Sequence, residues 1–226
     1  MRLILGVALI LTVPLSAQPV NRLQRALADA DNALRAGHFE EAQRRLAKLS
    51  TTIAERFGSG SQAMYTVAVV ASFRAIAAAG LHKPDDAAWY WSIARSLYPK
   101  FGRSDLHVYG AAGAEVMKID ASMPCALPEH PPGIEVTPPK PIEHSMPKYP
   151  YHAIETGIAE PVVVEFIVDE HGVPICPSIV DTHDDPSLAW FMLEAIRNWR
   201  YEPATIGGVA VRSAFTQTID FRIRYY

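Results

Sequence analysis

Half of the chain's 18 prolines fall between Met123 and Pro150. Proline lacks an amide hydrogen and fixes φ, so this stretch is expected to form neither helix nor inner strand and to lean toward an extended polyproline conformation. It divides a chain of 226 residues, long enough for two small domains rather than one. The hydrophobic period differs on its two sides. Before it, apolar residues recur every three or four positions; after it, they alternate. The fold class is therefore α+β. A helical hairpin array covers 18–122, a proline-rich linker 123–150, and a small C-terminal domain of antiparallel strands with one packed helix 151–226.

Residues 1–17 read as a targeting segment. Arg2 supplies a positive end, Leu3 to Val13 is almost unbroken apolar sequence, and Pro14-Leu15-Ser16-Ala17 places a small residue before Gln18. The apolar run falls short of the roughly 20 residues that span a bilayer. This is a signal for export to the periplasm; the alternative is a short anchor kept in the inner membrane with the rest of the chain facing the periplasm. Composition adds exclusions. With 49% hydrophobic and 20% charged residues the chain is globular rather than disordered. A net charge of -3 gives no basic footprint, which excludes nucleic acid as a partner. Edman sequencing of the native protein is expected to begin at Gln18, and a start at Met1 would establish the anchor instead.

In the helical half, Leu23, Ala26, Leu27, Ala30 and Leu34 mark a first helix, and Gly37-His38 punctuates it. Phe39, Ala42, Leu46, Leu49 and Ile53 form the stripe of a second, opposite Glu40, Arg44, Arg45 and Lys48. Gly58 to Ser61 is a loop. Gln62 to Ala79 is apolar nearly all round and should be the most buried helix. Pro84 opens a fourth helix, with Asp85 and Asp86 favourable at its positive end, and Pro99 stops it. A fifth, Asp105 to Lys118, is weakened by Gly110 and Gly113. Ala36-Gly37 precedes Ala42 and Leu46 much as Ala79-Gly80 precedes Ala87 and Trp91. That spacing is similar to tetratricopeptide repeats, although the offset from Gly37 to Gly80 exceeds their usual period of about 34 residues. Such a stack would offer a concave surface to a peptide; the alternative is a closed bundle, with Trp89 and Trp91 as packing residues.

In the C-terminal part, Val162, Val164, Phe166 and Val168 alternate with Val163, Glu165 and Ile167. Asp169 to Gly172 reads as a hairpin loop, and Val173 to Asp181 as a strand that Pro174 and Pro177 place at an edge. Pro186 to Trp199 reads as a helix. Asp185 is its cap, and Asp181, His183 and Asp184 form a solvated turn rather than a metal site. A closing strand from Val211 to Phe221 puts Phe215, Ile219 and Phe221 on one parity and Thr216, Thr218 and Asp220 on the other. The two cysteines, Cys125 and Cys176, are an even pair in an exported protein and so a candidate disulfide; two unrelated thiols is the alternative.

Taken in order, Tyr149-Pro150, Gly157, Val168-Asp169, Gly172, Trp199-Arg200-Tyr201, Pro203-Ala204, Gly207 and Phe221 resemble the C-terminal domain of the TonB family. These are periplasmic proteins that deliver inner-membrane energy to outer-membrane transporters. The residues themselves show no nucleophile setting and no Cys/His spacing of a zinc site, so no catalytic residue, cofactor or metal is expected. The resemblance implies binding of an outer-membrane receptor segment as an added strand, with inner-membrane proton-channel proteins as further partners. The edge residues expected to take that segment are Arg212, Ser213, Ala214, Phe215, Thr216, Gln217, Thr218, Ile219, Asp220, Phe221 and Arg222. A homodimer through the same strand, and a soluble periplasmic scaffold or adaptor that binds another protein without transducing energy, are the alternatives.

Overall fold

The structure, a computed structural model, describes residues 18–56, 61–127, 133–148, 154–155, 161–181 and 186–220. The proposed signal, the Gly58 loop, the Tyr149-Pro150 and Gly157 motifs, and the His183–Asp185 turn lie outside these residues. The chain divides into two compact units, one within Met1–Thr52 and Tyr65–Ser122, the other within Ile53–Met64 and Met123–Tyr226.

The helical unit is built on α1 (Gln18–Arg35), α2 (Phe39–Arg56), α3 (Ser61–Gly80), α4 (Pro84–Leu97) and α5 (Gly110–Ser122). The apolar stripes turn inward: Leu27, Ala30 and Leu34 of α1 and Ala42 and Leu46 of α2 are buried, while Glu40, Arg44, Arg45 and Lys48 face solvent. Ala63–Gly80 is long and apolar enough to cross a membrane, but 78% of it is buried inside the structure, as befits a core helix. Trp89 and Trp91 are both buried, and the Trp91 indole donates to Asp120 Oδ1 at 2.7 Å, tying α4 to α5. Arg95 bonds the same carboxylate.

Two sequence expectations shift here. The fifth helix starts at Gly110 rather than Asp105, because His107–Tyr109 is a 3-10 turn and Gly110 takes φ +59. Gly113, a poor helix former, is required by packing: a Cβ there would lie 1.9 Å from the Leu106 carbonyl oxygen. The hairpin turns also align differently. The amides of Gly37 and His38 bond the carbonyls of Leu34 and Ala33, and those of His82 and Lys83 bond Ala79 and Ala78. Both are Schellman-type ends with one left-handed residue, Gly37 at φ 75 and His82 at φ 57. The partner of Gly37 is thus His82, not Gly80, at the same offset that relates Ala42 to Ala87 and Leu46 to Trp91. Gly80 serves another purpose: a Cβ there would meet the Phe39 ring at 2.4 Å.

The second unit runs β1 (Lys140–Glu143), β2 (Pro161–Val168), β3 (Pro174–Asp181), α6 (Pro186–Ile196), β4 (Arg200–Glu202), β5 (Ala204–Ile206), β6 (Val209–Val211) and β7 (Ser213–Asp220). Its main sheet is antiparallel in the order β3-β2-β7. Val162, Val164, Phe166 and Val168 of β2 and Ile219 of β7 are buried, as are Leu188, Met192, Leu193 and Ile196 of the helix α6, which packs on β2 and β3.

Three departures from the sequence reading follow. The proline-rich segment is not wholly a spacer: it supplies β1, which pairs with β4 and sets Lys140 opposite Glu202 and Glu143 opposite Arg200. Those opposed charges favour the pairing. α6 ends at Ile196, so Arg200 and Tyr201 belong to a strand rather than a helix end. The closing strand is two strands broken at Arg212: β6 turns back on β5 through Gly207 and Gly208, both at positive φ, and β7 continues along β2.

Cys125 and Cys176 are joined by a disulfide, with Cα atoms 5.6 Å apart. Cys176 sits at φ 51, within the bulge that shifts the β2–β3 register between Glu165 and Ile167. A bridge spanning 51 residues restricts the unfolded chain by about 4 kcal/mol in the chain-entropy account. The Cys125→Ser, Cys176→Ser double variant is expected to lose stability on that scale in urea unfolding. Gly172→Ala is expected to cost about 2–4 kcal/mol. Gly172 has φ 78, and a Cβ there would lie 1.8 Å from the Tyr201 carbonyl oxygen. Comparison of urea midpoints with the parent protein measures both.

Candidate functional site

β2 is the central strand, so the main sheet has two edges, β3 and β7. They are not equivalent. β3 contains Pro174 and Pro177, which cannot donate, carries the bulge at Cys176, and is cross-linked to Cys125. Prolines and bulges blunt an edge. β7 has eight residues, no proline and no glycine. It keeps an unshifted register along β2 from Val168 opposite Ser213 to Pro161 opposite Asp220. Among the described residues no strand pairs with its other side. A row of backbone donors and acceptors is therefore left open there.

The side chains of β7 hold that edge in place. Phe215 packs into an aromatic cluster with Phe166 and Tyr201, at centroid distances of 5.6 and 5.3 Å. Ile219 is buried on the same face, and Ala214, Thr216 and Thr218 are exposed on the other. Thr216 donates from Oγ1 to Glu165 Oε1 at 3.4 Å, and the Gln217 amide nitrogen donates to the Thr218 carbonyl at 3.0 Å. Burial pushes the Tyr201 hydroxyl up to about 12. It stays neutral and acts as part of the apolar support. The hydroxyl of Tyr201 and that of Ser213 are buried without a hydrogen-bond partner among the described residues.

Arg212 stands apart from the other candidates. It lies at the break before β7 and bonds Glu170 Oε1 from Nε at 3.0 Å and the Pro124 carbonyl from Nη1 at 3.3 Å. Its hydrogen bond holds the Glu170 carboxylate below its ordinary range. Arg212 thus fastens the segment after α5 and the β2–β3 loop to the start of β7. Ser213 to Asp220 form the strand itself, and Phe221 and Arg222 lie outside the described residues.

The sequence signature has structural roles that its spacing alone does not reveal. Asp169 Oδ1 accepts the amides of His171 and Val173 at 2.9 and 2.8 Å, closing the hairpin loop. The Gly172 carbonyl accepts the Tyr201 amide at 2.9 Å. The Trp199 indole donates to the Ser145 carbonyl at 2.9 Å and its ring meets His144 edge-on. These residues build the support of the edge rather than the edge. Among the described residues no group of three or more His, Cys, Asp or Glu side chains is placed to hold a metal ion.

Residues 145–223 match the family model for the Gram-negative bacterial TonB protein C-terminal. This stretch is a TonB C-terminal domain. The match covers roughly a third of the chain and does not extend to the helical unit. A solution NMR structure of the Pseudomonas aeruginosa TonB C-terminal domain is similar at 26% identity, covering 39% of this chain and 89% of that one, with a TM-score of 0.35. No curated protein matches. The family is one of generally non-enzymatic transport proteins that work at the periplasmic face of the cell envelope and bind outer-membrane receptors.

Proposed function

We propose that this is a periplasmic TonB-like protein whose β7 edge binds an extended segment of an outer-membrane receptor as an added strand. The observation that carries the reading is the asymmetry of the sheet: β3 is blunted by prolines and a bulge, while β7 is regular and open. Added-strand binding draws its affinity from main-chain hydrogen bonds and its selectivity from side chains on alternate positions. The exposed Thr216 and Thr218 and the half-buried Gln217 would meet the incoming segment.

A second reading is a periplasmic scaffold or adaptor with no part in energy transduction. The helical unit favours it, because a five-helix array occupies the length that would otherwise extend the proline-rich spacer. In the first reading the chain also engages inner-membrane proton-channel proteins, directly or through an anchored companion; in the second it does not.

Neighbouring residues on an edge strand point their backbone groups alternately toward the sheet and away from it. Of Thr216→Pro and Gln217→Pro, one should therefore melt the domain and the other should leave it folded. The folded variant is expected to bind receptor-derived peptides about fivefold to tenfold more weakly, the worth of about one hydrogen bond. Titration of labelled domain with synthetic plug-proximal receptor peptides reads this, and unchanged affinity in the folded variant would move the site away from β7.

A further inference from the structure

The chain enters its second unit through an exposed bridge. Helix α5 ends at Ser122, and only Met123 and Pro124 stand between it and Cys125. Cys125 is exposed, and its partner Cys176 is half-buried. Pro124, Ala126 and Leu127 are exposed as well, and so are Gly133, Ile134 and Glu135; none of them lies in a helix or strand. Exposed residues of this kind add little buried contact to hold a segment in place. Arg212 Nη1 reaches the Pro124 carbonyl at 3.3 Å, an exposed hydrogen bond that is weak beside a covalent link. The next firm attachment is Thr137. Its amide donates to the Thr205 carbonyl at 2.9 Å, and its carbonyl accepts the Thr205 amide at 3.1 Å.

The other end of the bridge is conformationally unusual. Cys176 takes φ 51 within the edge strand β3. A side chain in this left-handed region raises the energy of the backbone. A bridge open to solvent at one sulfur and seated on such a residue at the other has the features of labile disulfides rather than of buried structural ones.

We propose that Cys125–Cys176 is a redox-controlled clasp, opened by a dithiol reductant, that sets the length of free chain between α5 and the second unit. A thiolate of the reductant attacks Cys125 Sγ. The sulfur–sulfur bond breaks, and Cys176 leaves as a thiolate that takes up a proton. The second thiol of the reductant then attacks its own sulfur in the mixed disulfide, releasing Cys125 as a thiol and leaving the reductant as a disulfide. Two electrons and two protons pass to the protein. Residues 126–136 then join the tether and add up to roughly 35 Å of extended chain, at about 3.1 Å per residue. Thr137 and β1 keep their pairings, so the sheet that carries β7 is unchanged. The clasp stands or falls separately from whatever β7 binds.

The test uses the full chain with donor and acceptor dyes on azide-bearing residues at the exposed positions 44 and 198. Dithiothreitol in native buffer is the reductant, and alkylation with mass spectrometry counts the thiols released. The bridge is expected to open at a rate within about tenfold of that of oxidised glutathione, unaccelerated by urea below the unfolding transition. Energy transfer should fall and its distribution widen on reduction, and both should return on reoxidation. Amide NMR signals of β2, β7 and α6 should stay in place, while those of Ala126, Leu127 and Ile134 sharpen. The Cys125→Ser, Cys176→Ser double variant should show the wide distribution without dithiothreitol and no response to it. A bridge that opens only as the protein unfolds, a transfer distribution unchanged by reduction, or a sheet that melts when the bridge opens would each overturn the proposal.

Discussion

The second unit depends on one backbone contact, the hydrogen bond from the Tyr201 amide to the Gly172 carbonyl. It joins the tip of the β2–β3 hairpin to β4, and it forms only where the tip residue has no side chain. Through it the loop, the β4 strand and the Tyr201 ring take fixed positions. That ring underlies Phe215 and so fixes β7. β4 in turn offers its other side to β1, which brings part of the proline-rich segment into the fold. A glycine at one loop tip thus governs the β1–β4 pairing and the seat of the candidate edge.

Much of this architecture was legible in the residues. Strong periods made it so: the alternation of Val162 to Val168, the stripe of α1, and Pro84 at a helix start each point one way. The parts that were not legible lack a period. Three-residue strands such as β4, β5 and β6 are too short to alternate. Pro141 argues against a strand, yet an edge strand with one paired side tolerates it. The break at Arg212 was hidden because β6 and β7 keep one parity across it. In the candidate site, the alternation of β7 could be read, but its edge position could not, since that depends on which strands β2 takes as neighbours.

The helical unit shows the converse error. Glycine was the natural marker for the left-handed residue that ends a helix. In the second hairpin that residue is His82, and Gly80 instead makes room for Phe39. A glycine can serve conformation or clearance, and sequence does not distinguish the two. A likeness between the two hairpins remains in the hydrogen bonds of their turns. It is blurred at the residues that would advertise it.

The bridge between Cys125 and Cys176 also alters how the chain would carry tension. A pull arriving from the end of α5 reaches Cys125 and passes through the sulfurs directly into β3, bypassing the covalent path through the proline-rich segment. A ligand held along β7 sits at the far side of the same sheet, with β2 between. Tension between the two would cross the strand ladders from one edge to the other, rather than unravel the unit from its proline-rich end. The domain would then respond to load as a cross-linked plate gripped at opposite margins.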